Sequence, residues 1–203
     1  MSVATRLPAS RDRIRRAAAR LFTEEGYQAV TMRAIAGRLD MTAAGLYAHY
    51  PSKSAILADF VDSELERFIG AVEAGVEQAG SDPGRRLRSF ASAHVAQSLA
   101  KAELGPFNVQ HALRQLTAHL PPGTRRGLLE AQRRHLGILL DILRDGVEQG
   151  HFQVAELTPT AFAILTMCDF VTNWYRPEGR LAPDQVADHH ARLVLRMVGA
   201  EEE

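Results

Sequence analysis

Thr31-Met32-Arg33-Ala34-Ile35-Ala36-Gly37-Arg38-Leu39-Asp40-Met41-Thr42-Ala43-Ala44-Gly45-Leu46-Tyr47-Ala48-His49-Tyr50-Pro51-Ser52-Lys53 is the stretch that decides the fold. Thr31 is an N-cap candidate, and Ile35, Ala36 and Leu39 follow it on one helical face. Asp40-Met41-Thr42 reads as a tight turn, after which Thr42 caps a second short helix running to about Tyr50. That second helix carries Ala43, Ala44 and Gly45, so one side is almost free of bulk. Pro51 stops it and Ser52 caps a third, longer helix. A thin helix presented by a tightly turned pair has the shape that enters a major groove.

Upstream, Ser10 is placed to cap a helix whose apolar positions Ile14, Ala17, Ala18, Leu21 and Phe22 form one stripe, ended by Gly26. Downstream, the helix begun at Ser52 carries Ile56, Leu57, Phe60, Val61, Leu65, Phe68, Ile69, Val72 and Val76, which is long enough to leave the N-terminal head and enter a body. Further helical patterns cover roughly 84–101, 106–119 and 124–149, then Thr158 to about Tyr175 with Pro159 at its first turn, then Pro183 to about Val198. In the 124–149 pattern Leu128, Leu129, Leu136, Leu139, Leu140, Leu143 and Val147 are the inward set and Arg125, Arg126, Arg133 and Arg134 the outward one. Nowhere does period-two alternation persist. The expected fold is all-α with about nine helices: an N-terminal three-helix helix-turn-helix unit over 1–54 and a helical effector-binding and dimerisation unit over 55–203.

The net charge of zero hides an asymmetry. Residues 1–55 hold nine Lys/Arg against four acids, net +5, and the rest holds 15 basic and 20 acidic residues, net −5. A basic head on an acidic body suits a phosphate-binding module. No run approaches ~18 uncharged apolar residues, so no membrane span is expected. The N-terminal residues lack the apolar stretch of a signal peptide. The single cysteine, Cys168, excludes an internal disulfide framework and fits a reducing cytoplasm.

Three stretches carry a family resemblance: Arg13-Ile14-Arg15-Arg16-Ala17-Ala18-Ala19-Arg20-Leu21-Phe22-Thr23-Glu24-Glu25-Gly26-Tyr27, Thr31 to Ala36, and Gly45 to Lys53. The first 60 residues resemble the DNA-binding domain of the tetracycline-repressor (TetR) family. The resemblance implies a homodimer that binds a palindromic operator as a transcriptional repressor and releases it when a small molecule fills the C-terminal domain. It also implies phosphate contacts at Thr31, Tyr47, His49 and Lys53.

Residue chemistry bears on those roles. Thr31 at a helix N-terminus can offer hydroxyl and amide to a phosphate. Tyr47 and His49 lie near the end of the second helix of the pair, and Lys53 adds a point charge. Leu46 is expected to pack inward. For base readout this helix offers Thr42, Ala43, Ala44 and Gly45, with no Arg, Lys, Asn or Gln for a bidentate contact. Many relatives carry Lys or Arg where this chain has Ala43, which leaves alanine methyls to meet thymine methyls and Gly45 to permit close approach. Arg33 is then the candidate for a base edge, the alternative being a salt-bridged surface residue. Arg6 and Arg11 are candidates for an arm on phosphate or the minor groove.

Asn173-Trp174-Tyr175-Arg176-Pro177-Glu178-Gly179-Arg180-Leu181 resembles a signature of a TetR subset, several of whose members respond to acyl-coenzyme A thioesters. A small apolar effector, an acyl-CoA among the candidates, is the expected ligand. Candidate wall residues are Phe107, Leu113, Leu116, Leu139, Phe162, Met167, Phe170 and Trp174, each of which can equally be ordinary core. Strong apolar stripes on the last two helices (Phe162, Leu165, Phe170 and Leu193, Leu195, Val198) suit a two-fold interface. Asp169 and Asn173, one turn apart, are a candidate hydrogen-bonding pair.

No phosphate loop, Gly-x-Ser-x-Gly or Cys-x-x-Cys occurs, so no enzyme is expected, and no metal or cofactor. His189 and His190 are neighbours and point about 100° apart on a helix. The remaining histidines read as scattered polar groups, and Cys168 as a buried small hydrophobe. The alternatives are an architectural DNA-binding protein without an effector and, more remotely, a small helical enzyme.

Overall fold

The computed structural model describes residues 11–100 and 117–200. Among the described residues there are eight α-helices, one 3-10 turn and no strand. The helices are α1 (Arg11–Glu24), α2 (Met32–Arg38), α3 (Ala43–Tyr47), α4 (Lys53–Gln78) and α5 (Pro83–Leu99), then, after the turn Thr117–His119, α6 (Pro122–Glu148), α7 (Leu157–Trp174) and α8 (Pro183–Met197). Most of the helix expected over 106–119, the arm residue Arg6 and the cap Ser10 lie outside the described residues.

The helix ends follow from capping. Ser52 and Asp82 accept from the backbone N–H three residues on, at 3.2 and 2.7 Å, as helix N-termini with unsatisfied donors require. The end of α6 closes with Gly150 at φ 74°, Gly150 N–H donating to Val147 O and His151 N–H to Gly146 O at 2.8 Å. This is the Schellman pattern. α7 departs from expectation: it begins at Leu157 with Glu156 as cap, and Pro159 sits inside the first turn. Proline is harmless there because first-turn amides have no helical acceptor. Before α8, Ala182 cannot cap through its side chain, yet its N–H donates to Gln185 Oε1 at 3.0 Å, so half of a capping box survives.

Two apolar clusters result. The head cluster joins Ile14, Ala18, Leu21, Phe22, Ile35, Leu46 and Tyr50 to Ile56, Leu57, Phe60 and Val61 of α4. The body cluster joins Val72 and Val76 of α4 to α5, α6, α7 and α8, with α5 packed most extensively on α8 and on α4. α4 therefore belongs to both. So does α6: Leu139, Ile142 and Leu143 lie in the body cluster, while Leu128 and the preceding Leu120 are buried in the head cluster. Each such aliphatic side chain contributes about 1.5–3 kcal/mol of transfer free energy.

The inward set of α6 needs correction. Leu129 is 48% and Val147 37% exposed, while His135 is buried. At the other end of α6 a Cβ on Gly146 would fall 2.0 Å from the Phe152 ring, so only glycine lets the returning chain seat there.

Candidate nucleic-acid interface

α2 and α3 are held at a fixed angle by their turn. Met41 N–H donates to Ala36 O at 2.9 Å and Asp40 N–H to Gly37 O at 3.2 Å, with Asp40 at φ 55°. That is again the Schellman arrangement, with aspartate where glycine is usual. Thr31 and Thr42 are both observed as N-caps, their Oγ1 atoms accepting from Ala34 N at 3.1 Å and from Gly45 N at 3.0 Å. Each hydroxyl keeps its proton for a further acceptor. Leu46 is fully buried and pins α3 to the head.

What remains outward is one polar edge. Thr31, Arg33, Thr42, Ala44, Tyr47, Ala48 and His49 are exposed, while Ala43 and Gly45 are half-buried. Tyr47, at 54%, is among the few large apolar side chains left open. Arg33 has no hydrogen-bond or ion-pair partner among the described residues, whereas Arg38 is tied to Glu24 at 2.9 Å. A guanidinium left free beside an exposed short helix is available to a base edge or a phosphate. Gly45 has a local reason too: a Cβ there would lie 3.2 Å from the Thr42 cap oxygen.

Lys53 is placed differently from the other candidates. Its ammonium donates to Tyr27 O at 2.7 Å, Val30 O at 2.9 Å and Gln28 O at 3.1 Å, and lies 4.5 Å from the Tyr27 ring centroid. All three donors of an ammonium are thereby used. Lys53 clamps the α1–α2 loop to the start of α4, directly before the Thr31 cap.

A second clamp was not legible from the motif. The Tyr50 hydroxyl donates to Asp59 on α4, Arg15 pairs with Asp59 at 3.5 Å, and Arg11 lies 5.0 Å over the Tyr50 ring while donating to His49 O at 3.4 Å. Burial, then the Asp59 hydrogen bond and charge, push the Tyr50 phenol upward, so it stays a donor. The exit of α3, the start of α1 and the first turns of α4 thus move together. The available signal was Asp59 falling on the inward side of α4.

The candidate effector residues scatter. Phe107, Leu113 and Leu116 lie outside the described residues. Leu139 is fully buried core, and Met167 packs partly buried against that core. Phe162, Phe170 and Trp174 are 53, 59 and 46% exposed, on the outer face of α7, so within one chain they do not wall an interior space. The Asn173 amide donates to Phe170 O at 3.3 Å, and Asp169 reaches His94 Nε2 at 2.9 Å. His94 and His135, read as scattered, are buried together with Nδ1 and Nε2 3.0 Å apart. Cys168 is fully buried, and burial pushes its thiol up to about 12, far from a reactive thiolate.

No helix among the described residues is long and apolar enough to cross a membrane. Comparison with known proteins gives a consistent answer. Residues 14–60 match the family described as "Bacterial regulatory proteins, tetR family", and residues 80–198 match "Tetracyclin repressor-like, C-terminal domain". The TetR-family regulator PfmR of Thermus thermophilus is 34% identical, with 95% of this chain and 100% of that one covered and a TM-score of 0.77. The HTH-type transcriptional repressor KstR2 of Rhodococcus jostii is 27% identical over 183 residues, 88% of this chain and 85% of that one. AibR, solved in complex with isovaleryl coenzyme A and operator DNA, is 25% identical with a TM-score of 0.77 over 94% of this chain and 99% of that one. The chain, with the exposed polar edge of its α2 and α3, belongs to the TetR family of DNA-binding transcriptional regulators.

Proposed function

We propose that this regulator is a repressor that binds a palindromic operator as a homodimer and lets go when a small, largely apolar effector occupies its body. In this reading residues 1–54 are the reader and 55–203 the sensor and dimerisation unit, working in the cytoplasm where the operator is. The observation that carries it is the presence of two exposed surfaces on one chain. One is the polar edge of Thr31, Arg33, Tyr47 and His49. The other is the apolar outer face of α7 with Phe162, Phe170 and Trp174, and Met197 of α8 is 43% exposed as well. An exposed apolar stripe of that kind is normally covered by a partner. A second copy covering it supplies the symmetry needed to reach two half-sites about 34–36 Å apart.

Thr31, Thr42, Tyr47 and His49 hold phosphates, with Ala43 and Gly45 allowing close approach and Arg33 reading a base edge. Lys53 orders the loop that presents Thr31. An acyl-coenzyme A thioester is the favoured effector class, supported by AibR, which is known with isovaleryl coenzyme A, and by Trp174, Arg176 and Arg180 clustered in sequence at the end of α7. The test is sedimentation equilibrium together with operator binding in the presence of thioesters of graded chain length. A dimer at micromolar concentration, with operator affinity falling tenfold or more at saturating thioester, supports the reading. A monomer, or operator affinity indifferent to every thioester and free acid tried, opposes it.

A further inference from the structure

The body core holds a polar chain that the DNA-binding reading does not use. Asp169 on α7, His94 on α5 and His135 on α6 form a line, with Asp169 Oδ1 2.9 Å from His94 Nε2 and His94 Nδ1 3.0 Å from His135 Nε2. His94 is 2% and His135 8% exposed. His135 Nδ1 is buried and has no hydrogen-bond partner among the described residues.

With both imidazoles neutral, the line admits one arrangement of protons. A carboxylate only accepts, so His94 Nε2 carries the proton and His94 Nδ1 bears a lone pair. His94 Nδ1 then accepts from His135 Nε2–H, which leaves His135 Nδ1 as a bare acceptor. The surroundings keep it so: Phe90 stacks on the His135 ring at 4.7 Å and Phe68 of α4 meets it edge-on at 5.3 Å. Burial, and next the adjacent His94, push His135 down to about 3, so it does not take up a proton to escape the deficit. A buried acceptor without a donor is destabilising, and a ligand with the right group removes that deficit.

Resting on the effector-responsive reading above, we infer that His135 Nδ1 is the polar anchor of the effector site, and that the site takes a largely apolar molecule carrying a hydroxyl or amide N–H donor. A ketone, an ester or a thioester carbonyl only accepts, so an acyl-coenzyme A meets this atom through an amide N–H or hydroxyl of its coenzyme arm. Donation to Nδ1 polarises the whole chain and tightens its hold on α5, α6 and α7 together. The consequence reaches the head along α6, because Leu128, about two turns before His135, is buried in the head cluster. Phe68 gives α4 a seat on the same pair of imidazoles.

The probe is a series of 1-alkanols of six to sixteen carbons with the methyl ethers of the same alkanols, titrated calorimetrically against the full-length protein and His135→Phe. The expected result is at least one alkanol bound tenfold or more tightly than its ether by the wild type, with the two levelled in His135→Phe. In the wild type, ¹⁵N spectra of the imidazoles should show His135 Nδ1 unprotonated, with a shift that changes on adding that alkanol and not its ether. This readout does not depend on the variant folding. No alkanol preference in the wild type, a preference retained in His135→Phe, or a protonated His135 Nδ1 in the free protein overturns the assignment. A protein that shows the preference but keeps its operator with alkanol bound leaves the site standing and removes the release mechanism. One that releases operator with some effector but shows no alkanol preference does the reverse.

Discussion

His119, in the turn before α6, stacks on Tyr27 of the α1–α2 loop with ring centroids 4.5 Å apart and planes 17° from parallel. Tyr27 is also the residue whose ring and carbonyl the Lys53 ammonium holds. A body side chain therefore rests on the loop that precedes the Thr31 cap, and Lys53 ties that loop to α4. This contact, with Leu120 and Leu128 buried in the same cluster, joins the body to the head.

His119→Ala removes the stack without touching the groove-facing edge. The expected cost is about 1 kcal/mol of stability. Operator affinity without effector should stay within about twofold, while the effector-driven fall in affinity shrinks. Fluorescence anisotropy of labelled operator with and without effector reads both quantities.

Lys53→Met keeps the aliphatic stem and deletes the charge that three carbonyls use. Loss of those charge-assisted bonds should destabilise the head by about 2–3 kcal/mol, read as a lower urea midpoint. The slope of log affinity against log salt should stay at the wild-type value. A slope smaller by about one would instead mark a phosphate contact.

Gly146→Ala forces a methyl into the Phe152 ring. A destabilisation of about 1–3 kcal/mol or more is expected. Gly146→Ala combined with Phe152→Ala should be less damaged than the two single losses added together. Thermal melts of the four proteins test this.

His135 gives the stability a pH signature. Unfolded, its imidazole titrates near the ordinary 6.5; folded, burial and His94 hold it down to about 3. Above 6.5 both states are neutral and the contribution is fully present. Below 6.5 the unfolded chain takes a proton that the native ring refuses, so stability falls as pH drops toward 3, by roughly 1.4 kcal/mol per unit at most. Urea melts at pH 7, 6, 5 and 4 should therefore show a steeper fall for the wild type than for His135→Phe. Equal slopes would mean that the folded His135 accepts the proton.

Much of the fold could be read in advance because its local signals were unambiguous. Thr31, Thr42 and Ser52 cap where a short polar residue precedes an apolar stripe, and Gly26 and Gly150 adopt the positive φ that ends a helix. The inward role of Leu46 followed from its being the bulky side chain among alanines and glycine. What the sequence hid were relations between distant segments. Lys53 reads as a cation for phosphate, and nothing along the chain shows that the carbonyls of Tyr27, Gln28 and Val30 converge on it. His94, His135 and Asp169 come from three helices, and spacing along any one of them says nothing of their meeting. Phe162, Phe170 and Trp174 could be wall, core or interface, since a stripe names a buried face but not what buries it.

The most direct test is to sequence the genomic fragments retained by the purified wild-type protein and by Arg33→Ala at moderate ionic strength. One enriched palindrome with half-sites about 34–36 Å apart is expected, and in Arg33→Ala a relaxed preference at one base pair of each half-site, with a loss of about 1–3 kcal/mol on the operator and little on random duplex. Wild-type fragments no richer in any sequence than the competitor DNA, with effector absent, would contradict this expectation.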